Sequence, residues 1–89
     1  MSIKILISID VPDYNKMLSA FDAGASARAN AGISAKAYQN FENPNNAWVI
    51  CEAESKKAFS DFFTSPGQQE RMKDAGLQSR PKITFLKPR

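Results

Sequence analysis

Apolar side chains fill every odd position from 3 to 11 (Ile3, Ile5, Ile7, Ile9 and Val11), while Lys4, Leu6, Ser8 and Asp10 take the even ones. A period of two built from β-branched residues predicts a strand with one apolar face. Pro12 ends it. Asp13 offers a cap to a helix over 14–30, where Met17, Leu18, Phe21, Ala25 and Ala29 recur at three- and four-residue steps. Gly24 lies inside that stretch, at a cost of about 1 kcal/mol relative to alanine that the alanine-rich neighbours offset. Gly32 then supplies a left-handed residue near the helix end.

Two more strands, 34–41 and 47–53, flank Glu42-Asn43-Pro44-Asn45-Asn46, and that cluster of turn residues predicts a hairpin. Ser55 opens a second helix with Ala58, Phe59, Phe62 and Phe63 on its apolar face, and Ser65-Pro66-Gly67 breaks it. A short third helix over 68–74 ends at Gly76. Ile83 and Phe85 mark a last strand. The order is β-α-β-β-α-β. Right-handed crossovers put the helices on one face of an antiparallel four-stranded sheet, so residues 1–89 are expected to form one ferredoxin-like α+β domain.

The odd isoleucines, with Ala35, Ala37, Val49, Cys51 and Ala53, form the floor under the helices. The opposite face collects Leu6, Ser8, Asp10, Lys36, Tyr38, Asn40, Trp48, Ile50 and Glu52, with Lys82, Thr84 and Leu86 on the last strand. A lone domain would expose Leu6, Tyr38, Trp48 and Ile50 together, a pattern that marks an interface or a ligand cavity. Two such sheets folded face to face hide it, and a domain this small gains from the extra burial, so a homodimeric barrel is expected. The mixed chemistry of that face makes Ser8, Asp10, Lys36, Tyr38, Asn40, Trp48 and Glu52 candidates to line a pocket for a small organic molecule. The same residues also suit a filled barrel core, with Lys36 and Glu52 as an ordinary cross-strand pair, and such a barrel would have a structural or regulatory role and no open cavity.

Composition narrows the chemistry. Hydrophobic content of 43% and charged content of 24% are those of a globular protein. The single cysteine, Cys51, forms no internal disulfide and fits a reducing compartment. The opening residues are too interrupted for a signal peptide and no segment approaches a membrane span, so a cytoplasmic protein is expected. Net charge is +3, and six of the twelve basic residues fall at Arg71, Lys73, Arg80, Lys82, Lys87 and Arg89. Glu70 and Asp74 are mixed among them, which favours a solvated surface over a nucleic-acid patch.

The chain has no histidine, which removes serine–histidine and cysteine–histidine nucleophile pairs. No metal-ligand cluster, phosphate loop or acidic calcium loop is present, so no metal or cofactor is expected. Asp10 and Glu52 share the open face, either as an acid–base pair or in ion pairs with Lys36 or Lys82. The strand over 47–53 carries one aromatic residue and an acid, unlike an RNA-binding sheet. Val11-Pro12-Asp13-Tyr14 lacks the glycine-rich anion cradle of acylphosphatase-like proteins.

Several local sequences carry a resemblance. Arg28 precedes Ala31-Gly32-Ile33; Asn43-Pro44-Asn45 precedes Trp48-Val49-Ile50-Cys51-Glu52-Ala53; Phe59 leads to Phe62-Phe63-Thr64-Ser65-Pro66. Arg71-Met72, Ala75-Gly76-Leu77 and Pro81-Lys82-Ile83-Thr84-Phe85-Leu86 follow. Over nearly the whole chain this order resembles the dimeric α+β barrel superfamily, and within it antibiotic-biosynthesis-monooxygenase-like and small cyclase-like proteins. The resemblance implies a dimeric barrel and, for one branch, cofactor-free oxygenation of an aromatic substrate using tyrosine, tryptophan and asparagine; Tyr38, Asn40 and Trp48 are of those types. Haem-degrading and chlorite-dismutase-like members use a histidine iron ligand, and that chemistry is excluded.

Overall fold

The computed structural model describes residues 2–77 and 80–88; Met1 of the opening segment and Arg89 of the basic tail lie outside them. The elements run β1 (Ile3–Asp10), α1 (Tyr14–Ala23), α2 (Ala25–Asn30), β2 (Ser34–Gln39), β3 (Asn46–Ala53), α3 (Lys56–Phe63), α4 (Pro66–Asp74) and β4 (Lys82–Leu86). The sheet order is β2-β3-β1-β4 with every neighbouring pair antiparallel, which is the ferredoxin-like arrangement.

Register follows the period-two pattern. Ala37, Val49, Ile7 and Ile83 form one row beneath the helices, and Ala35, Cys51, Ile5 and Phe85 form the next. Ile5, Ile7, Val49, Cys51 and Ala53 are buried against Ile33 and Phe59. Phe59 stacks on Phe63 at 5.4 Å between ring centroids and meets the Phe85 ring edge-on at 5.7 Å. On the other face Tyr38, Trp48, Ser8 and Lys82 make one row, and Lys36, Ile50, Leu6 and Thr84 the next.

Local chemistry sets the element ends. The Asp13 carboxylate accepts from the backbone N–H of Asn15 at 2.9 Å and of Lys16 at 3.3 Å, starting α1. Ser55 caps α3 and Ser65 caps α4. Gly32 and Gly76 take the left-handed conformation that ends α2 and α4, with φ of 74° and 76°. Asn45 Nδ2 donates to the carbonyls of Val11 and Pro12, tying the hairpin turn to the end of β1.

Four local expectations change. The helix over 14–30 breaks at Gly24, where the backbone (φ −90°, ψ 2°) leaves the helical range and the N–H donates to the Phe21 carbonyl three residues back at 3.1 Å. The third helix starts earlier than residue 68, because Pro66 is at home in a first turn and the Ser65 hydroxyl caps it. The strand over 34–41 stops at Gln39, because the Asn40 side chain accepts from the backbone N–H of Glu42 and turns the chain. Finally, Glu52 faces Lys4 across β1 and β3 at 3.6 Å, whereas Lys36 faces Ile50.

That register also separates the two carboxylates. Asp10 sits opposite Asn46 and Glu52 opposite Lys4, at the two ends of the β1–β3 ladder. Six residues of extended chain span about 20 Å, so Asp10 and Glu52 do not form an acid–base pair within one protomer.

Candidate functional site

The helices do not close fully on the sheet. A cavity of about 70 Å³ lies between them, floored by Ile7, Val49 and Cys51 and walled by Phe21, Phe59 and Phe62. It holds water or a small group as it stands; small-molecule pockets run to about 300–1,000 Å³. Its lip is made of Arg28, Gln68, Arg71 and Met72.

The lip is cationic. The Arg28 guanidinium lies 3.9 Å from the Phe21 ring centroid, and its Nη1 donates to the Phe21 carbonyl at 2.7 Å. Burial lowers its pKa from the ordinary arginine value; Cys51 acts upward, the Arg71 charge downward and Asp22 upward. It stays protonated at any physiological pH. Arg71 donates from Nε and Nη2 to the Gln68 side-chain oxygen at 3.2 and 3.1 Å, with its guanidinium 5.8 Å from the Phe62 ring centroid.

Cys51 is the one ionisable group of the cavity floor. Burial pushes its thiol up to about 11, against the opposing pull of Arg28. At neutral pH it is therefore a small apolar side chain. Among the described residues, then, the lining offers two fixed cations and aromatic walls but no general base.

None of the seven candidate residues lines this cavity. All lie on the opposite, open face or at its hairpin end. Tyr38 and Trp48 are neighbours in one row, 47% and 39% exposed, and Ser8 follows Trp48 in that row. Lys36 is in the next row and Glu52 one row further on, beside Ser34 and Lys4. Asn40 and Asp10 are joined through the buried Asn46. Its Nδ2 donates to Asp10 Oδ1 at 3.1 Å and Ser8 Oγ at 3.2 Å, and its Oδ1 accepts from Asn40 Nδ2 at 2.9 Å.

Arg28, Gln68 and Arg71 did not emerge as site residues from sequence reasoning. A signal existed for Arg28: it stands seven residues after Phe21, on the stripe that also holds Met17 and Leu18, where an apolar residue would be expected. Arg71 gives no comparable signal, because its helix is polar over most of its surface.

No family model and no curated protein matches this chain. Solved structures do. A protein of Bordetella bronchiseptica provisionally named an antibiotic biosynthesis monooxygenase superposes with a TM-score of 0.84 at 18% identity, covering 98% of this chain and 96% of its own. SnoaB, a cofactor-independent oxygenase from Streptomyces nogalater, gives 0.81 at 16% identity, covering 99% and 93%. A provisionally named antibiotic biosynthesis monooxygenase of Caulobacter crescentus gives 0.79 at 16% identity, covering 96% and 87%. At such identities the likeness is one of fold, and the fold that this chain shares is that of the antibiotic-biosynthesis-monooxygenase-like proteins.

Proposed function

We propose that this protein binds a small, partly aromatic organic molecule in the cleft between its sheet and its helices, and that it does so as a homodimer. The phenylalanine-walled cavity with a cationic lip carries this reading. Opening the lip would enlarge it at the cost of the Arg28 bond to the Phe21 carbonyl and the Arg71 bonds to Gln68. A cofactor-independent, monooxygenase-like reaction is the chemistry that the fold favours, SnoaB being a protein of that activity on the same fold. With no base among the described lining residues, the substrate would have to ionise readily beside Arg28.

The homodimer reading rests on the open face. Tyr38, Trp48 and Leu86 are exposed large apolar residues there, with Ile50 and Leu6 between them in register. Burying them against a second copy removes an exposed apolar patch from the surface.

Methyl-resolved NMR titration with small aromatic molecules tests the cleft. Shifts at Ile7, Val49 and Met72 support it. Shifts confined to Leu6 and Ile50 would instead favour a pocket between protomers lined by Tyr38, Trp48 and Ser8, which the adjacency of the two aromatics in one row keeps as the second reading.

A further inference from the structure

Two guanidinium groups converge over Gly24. A Cβ on that residue would stand 2.7 Å from Arg71 Nε and 3.1 Å from Arg28 Nη1, so the missing side chain is what lets both cations approach the same spot. Gly67 lies on the other side of Arg71, where a Cβ would stand 3.4 Å from its Nη1. Both groups edge the cavity, and both are partly withdrawn from water.

Neither has an ion-pair partner. Among the described residues the salt bridges join Lys4 to Glu52 and Lys57 to Asp61, and no carboxylate oxygen comes within 4.0 Å of Arg28 or Arg71. Asp22 influences Arg28 only as the weakest of four contributions, while Arg71 opposes it. One Nη1 of Arg28 is committed to the Phe21 carbonyl, and Nε and Nη2 of Arg71 to Gln68. The remaining donors of both forks have no acceptor from the chain among the described contacts. Like charges that are drawn together, half-desolvated and left without a counter-ion form an anion site.

Resting on the cleft reading above, we propose that the ligand is an aryl carboxylate, its ring among Phe21, Phe59 and Phe62 and its carboxylate between Arg28 and Arg71. A guanidinium fork matches the planar, two-oxygen geometry of a carboxylate, which a neutral amide or alcohol does not reproduce. The phenylalanine walls supply the ring with edge and face contacts. Size favours a single ring over a larger ring system, because a cavity of about 70 Å³ has to open at its lip even for one ring.

Benzoate and benzamide make a matched pair of probes, equal in shape and different in charge. Titrated separately into the isotopically labelled protein, both should shift the methyl resonances of Ile7, Val49 and Met72. Benzoate should bind roughly ten- to a hundredfold more tightly, the range for a charge-assisted hydrogen bond set against a neutral one. In Arg71→Gln that preference should collapse towards equal binding of the two probes. Equal binding of the two probes overturns the anion site and leaves the cleft standing. Failure of both to move those methyls overturns the cleft and the anion site together. A preference for benzoate that survives in Arg71→Gln also overturns the proposal, and leaves Arg71 as a side chain resting on Phe62.

Discussion

Gly24 and Arg71 share one volume: a Cβ built on the glycine would lie 2.7 Å from the arginine Nε, closer than real contacts allow. The residues are far apart in sequence and meet because α1 and α4 pack together over the sheet. The glycine therefore does more than break a helix; it makes space for a charge.

Gly24→Ala separates these roles. The backbone at residue 24, φ −90° and ψ 2°, is open to alanine, and the helix gains up to about 1 kcal/mol of propensity. The flexible Arg71 side chain must move. The unfolding free energy from urea titration should stay within about 1 kcal/mol of wild type, while benzoate affinity falls severalfold in the same NMR titration. A strongly destabilised variant would mean that Arg71 is locked by the fold.

Phe59→Ala should be severe. The ring is 3% exposed and touches both Phe63 and Phe85 at the centre of the core. Losses of about 3–5 kcal/mol are typical for such truncations, a large share of a small domain's stability. Chemical denaturation followed by circular dichroism measures it.

Cys51 makes stability depend on alkaline pH. Its folded pKa is raised from 9.0 to about 11, so the unfolded chain releases the proton first as pH climbs. The native state then holds more protons than the unfolded state between those values, and stability falls through that window. Two units correspond to about 3 kcal/mol as an upper bound, fully retained below pH 9. Thermal melts at pH 8 and 10.5, compared with Cys51→Ala, should show a drop that the variant lacks.

Asn46 organises the hairpin end of the open face. It is 8% exposed, and its amide nitrogen donates to Ser8, Ile9 and Asp10. Asn46→Ala leaves the Asn40 amide and the Asp10 carboxylate without that partner, at about 1–3 kcal/mol. Asn46→Asp adds like-charge repulsion against Asp10 and should cost more at pH 7 than at pH 4. Denaturant midpoints at both pH values decide this.

Ile50→Asp addresses the assembly. The residue is part-buried on the open face between Lys36 and Leu6, away from the core beneath the helices. If that face joins two copies, the mass measured by light scattering should shift from dimer towards monomer with circular dichroism unchanged. A wild-type monomer at micromolar concentration would end the homodimer reading.

Much of the fold was legible along the chain. Alternation at Ile3, Ile5, Ile7 and Ile9 identified the buried face of β1, and the turn cluster from Glu42 to Asn46 identified the hairpin. The same alternation assigned Tyr38, Trp48 and Glu52 to the open face, as the register bears out. Pairing partners were less legible: Lys36 and Glu52 belong to different rows because the hairpin begins its turn one residue after Gln39. None of the seven open-face residues lines the cavity between the layers, because the alternation that put them on one face put them on the far side of the sheet.

By itself, then, the sequence determined which side of each element is apolar, since that follows from local periodicity of 2 or 3.6 residues. It also determined where two helices begin, through Asp13 and Ser55, and where two end, through the left-handed Gly32 and Gly76. Only the tertiary structure decided that a cavity remains between the layers and that Arg28 and Arg71 meet at its mouth. The physical reason is range. Periodicity reports how one element faces a core, whereas a cleft and its charges arise from the distance at which helices remote in sequence come to rest on a sheet.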